Sequence, residues 1–449
     1  MVQIPPELIV SVSGIRGVVG QSLSPEVVTR FALAYAATVG PGALVVGRDS
    51  RPSGVYLTHA VLAGLLASGR EVIELGIVPT PTVGRAVREF AAAGGVQITA
   101  SHNPAAWNGL KLFGPDGAVM EAADGERVRR AFLAGQWTLP DQAHLGRSRA
   151  DDSASESHVR RVLSLVAVQR IRQARLRVVL DGNGGAGGPT ALRLLEALGC
   201  TVQAVGCEPD GRFQHDPEPT PAHLQAIAPL VPRFGAAVGF ALDPDADRLA
   251  LIDETGQCLS EELTLALAVW RRLQQQPGPV AINLSTSRVV EDLAARFGCP
   301  TVRSPVGEAN VVRAARQVGA VIAGEGNGGV IDPRVGWVRD PFIGIGLILE
   351  LLADPAVRLS RLVASLPRYS MLKRKVHVQR DDLPRLYAQL KEQWPAVRVD
   401  EQDGLRLDTE SGWVHIRPSN TEPIVRIIAE APTAELAELS CHAVERLCG

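Results

Sequence analysis

The apolar positions of this 449-residue chain fall in short unbroken runs, and three of these runs open the same succession of elements. Each run leads into a polar loop, then into a helix-length segment that ends at a glycine, and then into another apolar run. Runs without alternation are typical of strands covered on both faces, and glycine commonly follows the last turn of a helix. We therefore predict three tandem α/β units, whose first runs are residues 43–46, 177–180 and 279–284.

The pattern changes near residue 373, where apolar and polar positions begin to alternate. A helix is predicted over residues 382–394 and another from residue 433, with several strands between them. Alternation indicates strands with one solvated face, so the predicted fold class is α/β, with three tandem α/β domains and a smaller C-terminal α+β domain. The predicted domains are residues 1–145, 150–253, 254–366 and 371–449, with polar linkers near 138–155 and 365–372.

Charge and composition favour a protein that acts on small molecules. The 46 Lys and Arg residues nearly balance the 48 Asp and Glu residues, so the chain offers no basic field for a nucleic acid. No apolar stretch approaches the roughly 20 residues that span a membrane, and the first residues lack a basic, signal-like segment. The 6 cysteines form no C-x-x-C pair, which indicates reduced thiols. We expect a cytoplasmic enzyme.

Residues 99–104, which we call the serine loop, read Thr-Ala-Ser-His-Asn-Pro and follow a predicted strand over residues 95–98. A serine at the end of a strand, here Ser101, is a candidate nucleophile. The alternative is an ordinary turn, because Ser, Asn and Pro are all turn residues. Ser101 lacks the flanking glycines of the nucleophile elbow that many hydrolases have.

Residues 243–248, the aspartate loop, read Asp-Pro-Asp-Ala-Asp-Arg and lie between two apolar strands. Alternate spacing in an extended loop can bring the carboxylates of Asp243, Asp245 and Asp247 to one point, where a hard cation such as Mg²⁺ would offset their repulsion. A Ca²⁺-binding EF-hand is not favoured, because it requires glycine where Arg248 stands. An exposed acidic turn without metal stays open as the alternative.

Two glycine-rich segments call for different interpretations. Residues 324–329 form a G-x-G-x-x-G sequence, but Pro333 follows too closely for a helix N-terminus that could hold a pyrophosphate. Substrate contact by Glu325 and Asn327 is the better interpretation, with a plain turn as the alternative. Residues 182–187 do follow a strand and open a helix, as dinucleotide-binding loops do. A dinucleotide-dependent oxidoreductase therefore stays open.

Residues 417–423 read Arg-Pro-Ser-Asn-Thr-Glu-Pro and lie between two predicted strands. A guanidinium, hydroxyls and backbone amides within a few residues suit a phosphate group. An ordinary surface turn is the alternative.

Lysine is rare in this chain, and Lys111 is the only one before residue 373. A lysine amine can lose its proton when its pKa is lowered, whereas the guanidinium of arginine stays protonated. Lys111 is therefore a further candidate, with a solvated surface lysine as the alternative.

In this order the motifs resemble the α-D-phosphohexomutase superfamily of phosphoglucomutases, phosphomannomutases and phosphoglucosamine mutases. The resemblance covers nearly the whole chain and implies three α/β domains and a small C-terminal α+β domain around one central cleft. The segments that carry it are residues 13–17, 47–51, 99–104, 213–221, 243–248, 324–329 and 417–423.

The resemblance implies a reaction and a metal. Ser101 would carry a phosphoryl group, and Mg²⁺ would be held by that phosphate together with Asp243, Asp245 and Asp247. The implied reaction interconverts a hexose 1-phosphate and a hexose 6-phosphate through a hexose 1,6-bisphosphate, which also primes the enzyme.

The same resemblance implies the other site residues. Arg16 and Arg248 would neutralise the transferring group. His102 and Lys111 occupy positions associated with proton transfer, and Lys111 would be the general acid/base if the site lowers its pKa. The implied substrate-binding residues are Glu325, Asn327, Arg417, Ser419, Asn420 and Thr421.

The sugar loop, residues 324–329, departs from the commonest family sequence, Gly-Glu-x-Ser-Gly-His. Asn327 stands for the serine and Gly329 for the histidine, which resembles archaeal-type and Bacteroidetes-type members. Glucosamine phosphate is the predicted substrate, ahead of mannose and glucose phosphates. A metal-dependent sugar phosphatase and a phosphosugar-binding protein without turnover stay open beside the oxidoreductase. We expect a monomer or homodimer.

Overall fold

Four β-sheets succeed one another along the residues that the computed structural model describes, which are residue 5 and residues 7–394, 398–418 and 424–448. The first three sheets mix parallel and antiparallel strands, and the fourth is antiparallel. This arrangement confirms the predicted fold of three α/β domains followed by a smaller α+β domain.

The first domain contains a seven-stranded sheet. Its elements are β1 (Ile9–Ser11), β2 (Gly14–Val18), α1 (Pro25–Thr38), β3 (Leu44–Arg48), α2 (Gly54–Ala67), β4 (Val72–Ile77), α3 (Thr80–Glu89), β5 (Gly94–Ile98), β6 (Trp107–Phe113), α4 (Ala122–Ala134), a 3₁₀ turn (Gln142–His144) and β7 (Ser148–Ala150). The strand order is β1-β2-β6-β5-β3-β4-β7. Because β7 pairs with β4, the stretch 138–155 that we predicted as a linker contains an edge strand of this sheet.

The second and third domains each contain a four-stranded sheet. The elements are α5 (Ala154–Leu163), α6 (Val168–Ala174), β8 (Arg177–Asp181), α7 (Gly188–Ala197), β9 (Thr201–Val205), α8 (Leu230–Phe234), β10 (Val238–Leu242), β11 (Leu249–Asp253), α9 (Glu261–Gln275), β12 (Val280–Asn283), α10 (Arg288–Arg296), β13 (Thr301–Ser304), α11 (Glu308–Val318), β14 (Ile322–Glu325), β15 (Gly329–Ile331), α12 (Pro341–Leu352) and α13 (Leu359–Ala364). The strand orders are β11-β10-β8-β9 and β13-β12-β14-β15. In each sheet a central parallel pair carries an antiparallel strand on one side.

The fourth domain is an antiparallel sheet with two helices. Its elements are β16 (Ser370–His377), a 3₁₀ turn (Arg380–Asp382), α14 (Leu383–Gln393), β17 (Arg398–Asp400), β18 (Leu405–Asp408), β19 (Trp413–Pro418), β20 (Ile424–Ala431) and α15 (Ala434–Cys448). The strand order is β16-β20-β19-β18-β17. No helix among the described residues of the chain is long and apolar enough to cross a lipid bilayer.

All twelve residues of α12 are buried, and its N-terminus ties the first three domains together. Asp340 caps the helix by accepting from the amide of Phe342 at 2.8 Å, and Pro341 suits the first turn because it has no amide to leave unpaired. The other oxygen of Asp340 lies 2.7 Å from His158 Nε2, and His158 Nδ1 lies 2.9 Å from Thr82 Oγ1. Thr82, His158 and Asp340, one from each α/β domain, therefore form a buried hydrogen-bond network.

Candidate active site

The serine loop joins β5 to β6 and turns sharply at Ser101. Ser101 has a φ of 52°, a left-handed conformation that costs a residue with a Cβ about 1–2 kcal/mol, and it is almost fully buried. Its amide donates to Thr99 Oγ1 at 2.8 Å. Backbone strain of this kind persists where the surrounding contacts hold it, and it is concentrated at functional sites.

Arg51 supplies many of those contacts. Its guanidinium donates to the carbonyl oxygens of Ser101 at 2.7 Å and Asn103 at 2.6 Å, and its Nε donates to Asp49 Oδ2 at 3.1 Å. Both members of this ion pair are buried, and the guanidinium satisfies backbone carbonyl groups that would otherwise need another partner. Residues 47–51 belong to the resemblance, but nothing in their spacing indicates that Arg51 holds the serine loop.

The aspartate loop meets the serine loop. Asp243, Asp245 and Asp247 are fully buried, and one oxygen of each lies within 4.8 Å of the others. Asp243 Oδ1 accepts from the amides of Asp247 and Arg248, each at 3.0 Å, and its Oδ2 lies 3.4 Å from Ser101 Oγ. The structure thus brings together the serine and the three aspartates that come from separate motifs.

The aspartate loop has the properties of a divalent-cation site. Asp245 Oδ1 and Asp247 Oδ1 are buried and have no hydrogen-bond partner among the described residues, whereas buried polar atoms are nearly always paired. Burial, and then the charges of Asp245 and Asp247, raise the pKa of Asp243 well above its ordinary value, because like charges at this spacing disfavour ionisation. Carboxylate oxygens are ligands that Mg²⁺ prefers, so the residues present fit this ion.

Lys111, on β6, borders this cluster. Its Nζ donates to Asp245 Oδ2 at 3.1 Å and to Asp247 Oδ2 at 2.6 Å. Burial alone would lower the pKa of Lys111, but the two carboxylates outweigh burial and raise it above its ordinary value. The general acid/base role implied by the resemblance depends on a lowered pKa, whereas these two carboxylates act in the opposite direction.

His102 and the two predicted arginines lie near the serine. His102 Nδ1 is 3.3 Å from Ser101 Oγ. Burial, helped by the positive charges of Arg248 and Arg16, lowers the pKa of His102 to about 3, so this imidazole is neutral at pH 7. Arg16 donates to a side-chain amide of the serine loop at 3.0 Å, and Arg248 donates to Glu218 Oε1 at 3.1 Å. The structure therefore combines a neutral imidazole with two guanidinium groups.

The sugar loop is a tight turn between β14 and β15. Glu325 Oε1 accepts from Asn283 Nδ2 at 2.8 Å and from the amide of Gly307 at 3.1 Å. Asn327 Oδ1 is buried without a partner among the residues that the structure describes. Both side chains line a cleft of about 490 Å³ that residues from all four domains border. This is the size of a small-molecule site.

The fourth domain forms the far side of this cleft. Arg417 on β19 is paired with Arg426 on β20, which is paired with Lys375 on β16, and all three line the cleft. Like charges on paired strands repel one another, so an anion bound there would stabilise this row. The other predicted phosphate contacts, Ser419, Asn420 and Thr421, lie outside the described residues.

The second glycine-rich segment, residues 182–187, is filled by the protein itself. The amide of Gly184 donates to the carbonyl oxygen of Gly206 at 2.6 Å, and that of Ala186 donates to the carbonyl oxygen of Pro244 at 2.8 Å. Every residue of the segment is buried. A pyrophosphate requires free amides at such a loop, so the geometry argues against a dinucleotide site and against the oxidoreductase.

Comparison with known sequences decides the family. Profiles of "Phosphoglucomutase/phosphomannomutase" match four consecutive parts of the chain: alpha/beta/alpha domain I at residues 8–138, domain II at 156–256, domain III at 260–369 and the C-terminal domain at 375–447. The chain belongs to the phosphoglucomutase/phosphomannomutase family. Proteins of this family are phosphohexomutases, which are isomerases, and the resemblance drawn from the motifs is confirmed.

Individual relatives of this phosphohexomutase align over almost its full length. A Thermococcus kodakarensis protein named "Phosphoglucomutase/phosphomannomutase" is 35% identical over 433 residues, which cover 94% of each chain. A Methanopyrus kandleri protein named "Probable phosphoglucosamine mutase" is 35% identical over 431 residues, 95% of this chain and 94% of that one. A solved structure of a phosphoglucomutase/phosphomannomutase family protein from Burkholderia thailandensis has a TM-score of 0.85 at 27% identity, over 98% of this chain and 97% of that one.

Proposed function

We propose that this phosphohexomutase requires Mg²⁺ and moves a phosphoryl group between O1 and O6 of glucosamine phosphate through phospho-Ser101 and a hexose 1,6-bisphosphate. The observation that supports this most is the 3.4 Å approach of Ser101 Oγ to Asp243 Oδ2 at the edge of the buried carboxylate cluster. A phosphoserine brings about −1.5 to −2 charges, which these carboxylates would repel unless a cation lay among them. The nucleophile and the cation site therefore depend on each other.

Three carboxylates and the phosphate would hold the ion. Asp243, Asp245 and Asp247 would ligate Mg²⁺ together with the phosphate on Ser101. When bound, the ion supplies positive charge to the transferring oxygens, which is the main requirement of phosphoryl transfer. Thr80 Oγ1 donates to Asp245 Oδ2 at 2.6 Å and thereby leaves the Oδ1 atom available for ligation.

Two side chains, Lys111 and His102, would carry out the proton transfers. Lys111 Nζ, which donates to Asp245 and Asp247 in this structure, would donate a proton to the sugar oxygen from which the phosphoryl group leaves. His102 Nδ1, which lies 3.3 Å from Ser101 Oγ, would accept the hydroxyl proton of Ser101 when the serine takes up the phosphoryl group. The resemblance implies a general acid/base role for Lys111, and this proposal assigns it the acid part of that role.

The chemistry of the cleft supports an amino sugar as the substrate. Glu325 and Asn327 present a carboxylate and an unpartnered amide oxygen, which accept hydrogen bonds from hydroxyls and amines. Glu218 adds a carboxylate to the lining, which suits the ammonium group of glucosamine phosphate, whereas burial raises the pKa of Glu262 well above its ordinary value. The archaeal relative named "Probable phosphoglucosamine mutase" agrees with this choice. Mannose and glucose phosphates are the alternative substrates.

Intact-mass analysis and turnover assays on the wild type and Ser101→Ala test the proposal. We expect a wild-type species heavier by one phosphoryl group that Ser101→Ala lacks. We also expect Mg²⁺-dependent turnover, primed by a hexose 1,6-bisphosphate, that is fastest with glucosamine phosphate. Ser157→Ala, which removes a buried hydroxyl outside the cleft, is the matched control and should keep both properties.

Other outcomes would favour the rivals. Release of inorganic phosphate would indicate a sugar phosphatase, and binding without turnover would indicate a phosphosugar-binding protein. Full turnover by Ser101→Ala would overturn the phosphoserine mechanism. We further propose a monomer or homodimer that acts in the cytoplasm on this small molecule, without a nucleic acid or membrane partner.

A further inference from the structure

Arg339 fills the space that a side chain at residue 329 would need. A Cβ added to Gly329 would lie 2.3 Å from Arg339 Cδ and 2.9 Å from Asn327 Oδ1, both closer than van der Waals contact allows. Residue 329 must therefore be glycine while Arg339 keeps this position. The space beside residue 329 is occupied by an arginine from the segment before α12 rather than by a side chain of the sugar loop.

The guanidinium of Arg339 lies among three carboxylates. Nη2 donates to Asp247 Oδ2 at 2.6 Å, Nη1 donates to Glu325 Oε2 at 3.1 Å, and Nε lies 3.2 Å from Glu308 Oε2. Arg339 is buried, so these charges interact with little screening by water. A planar fork of donors can reach all three partners at once, whereas the point charge of a lysine cannot.

The backbone beside Arg339 is held on two sides. The amide of Arg339 donates to Glu308 Oε1 at 2.8 Å, and the amide of Asp340 donates to the carbonyl oxygen of Val330 at 2.7 Å. Asp340 also caps α12 and contacts His158. The backbone that carries the guanidinium is therefore held within the third domain, and the adjacent Asp340 links it to the second domain through His158.

Arg339 touches both the cation site and the sugar loop. It shares Asp247 Oδ2 with Lys111 Nζ, which leaves Asp247 Oδ1 as the unpartnered oxygen. We infer that Arg339 is a positioning residue that couples Asp247, and so the cation, to Glu325, and so the sugar. The inference rests on the proposed function in one respect, because it takes the aspartate loop as the Mg²⁺ site.

Isothermal titration calorimetry of Mg²⁺ binding to the metal-free protein tests the coupling. This measurement does not depend on enzymatic turnover. We expect Arg339→Lys to bind Mg²⁺ about 10–100-fold more weakly than the wild type, which is the usual effect of losing a group that orients a metal ligand. Its kcat should fall more than its KM changes. Arg303→Lys is the matched control, because Arg303 is also buried between carboxylates, those of Glu291 and Asp408, and should keep wild-type Mg²⁺ affinity.

Glu325→Gln distinguishes coupling from a local effect. We expect it to weaken Mg²⁺ binding in the wild type but to add no further loss in Arg339→Lys, because coupled residues give non-additive changes. Additive losses, or Mg²⁺ affinity of Arg339→Lys within about twofold of the wild type, would overturn the inference. A wild type that binds no Mg²⁺ would overturn the proposed cation site as well. Circular dichroism verifies folding, and Arg339→Gln replaces Arg339→Lys if the latter does not fold.

Discussion

The charged groups on the two sides of the cleft, the serine side and the side formed by the fourth domain, differ in how deeply they are buried. On the serine side, Lys111, Arg339 and the aspartate loop are buried and contact one another. On the side of the fourth domain, Arg426 and Lys375 are exposed. Buried charges are costly unless they are paired in good geometry, so the serine side is ordered before substrate binds, whereas exposed cations are screened by salt. We expect the serine side to determine the rate of phosphoryl transfer and the far side to determine affinity for the distal phosphate.

The domains also differ in whether they share an apolar core. The second and third domains share one continuous apolar core, while the fourth domain has its own. The fourth domain contacts the third through polar groups, among them Arg303, which donates to both oxygens of Asp408 at 2.5 and 3.1 Å. A polar interface of this kind resembles those between separable domains. The aspartate and sugar loops are thus built on the two domains that share a core, whereas Ser101 and Lys111 come from the first domain, whose main core is separate.

The largest effect is expected on the serine side, from Asp247→Asn. The substitution removes one proposed ligand charge and breaks contacts to Lys111 and Arg339, so Mg²⁺ affinity and kcat should each fall by about 100-fold or more. Calorimetry and steady-state assays measure the two quantities. Asp253→Asn, at a buried carboxylate on the neighbouring strand β11, should leave Mg²⁺ affinity unchanged. Equal losses in both variants would contradict a specific role for Asp247.

Arg51→Lys should give the next largest effect. Lysine cannot replace the several bonds to the serine loop, so Ser101 would shift and kcat should fall by about 100-fold with little change in Mg²⁺ affinity. Arg70→Lys is the control, because Arg70 likewise donates to backbone carbonyl oxygens, of Ala36 and Gly40, but outside the cleft. A variant at Arg51 with wild-type kcat would show that the loop holds its shape without this guanidinium.

Arg417→Ala tests the far side of the cleft. Loss of one charged contact to a phosphate should raise KM about tenfold while kcat changes little, and the rise should be larger at low ionic strength. Arg398→Ala, at an exposed arginine of β17, should behave like the wild type. If kcat fell as much as KM rose, the proposed division between the two sides would be wrong.

The last prediction concerns the pH dependence of stability rather than catalysis, through His415 on β19. His415 Nδ1 lies 2.9 Å from Ser285 Oγ, and burial lowers the pKa of His415 from 6.5 to about 4. The unfolded chain therefore takes up a proton that the fold excludes, and the free energy of unfolding should fall between pH 6.5 and pH 4 by on the order of 1–3 kcal/mol. His415→Gln should reduce this pH dependence, and His144→Gln, at an exposed histidine, should not. Identical pH profiles for all three proteins would exclude His415 as a source.

Much of the fold and part of the candidate site could be predicted from the sequence. The strands before the serine and aspartate loops are read from apolar runs, because burial on both faces leaves a local pattern. Strand β7 has no such pattern, since it is a short, exposed edge strand. Arg51 and Arg339 also leave no local signal, because the groups that they contact are far away in the sequence.

The amino-acid sequence alone establishes the α/β succession and the family and points to Ser101 and the three aspartates as candidate site residues, because these depend on local patterns and on motifs in a fixed order. The tertiary structure decided which charges meet. It places Lys111 against two carboxylates, which raise its pKa above the ordinary value, and it puts Arg339 where residue 329 has no side chain. These properties depend on distances and burial between segments remote in the chain, and electrostatic energies follow those distances and the local dielectric rather than the order of residues.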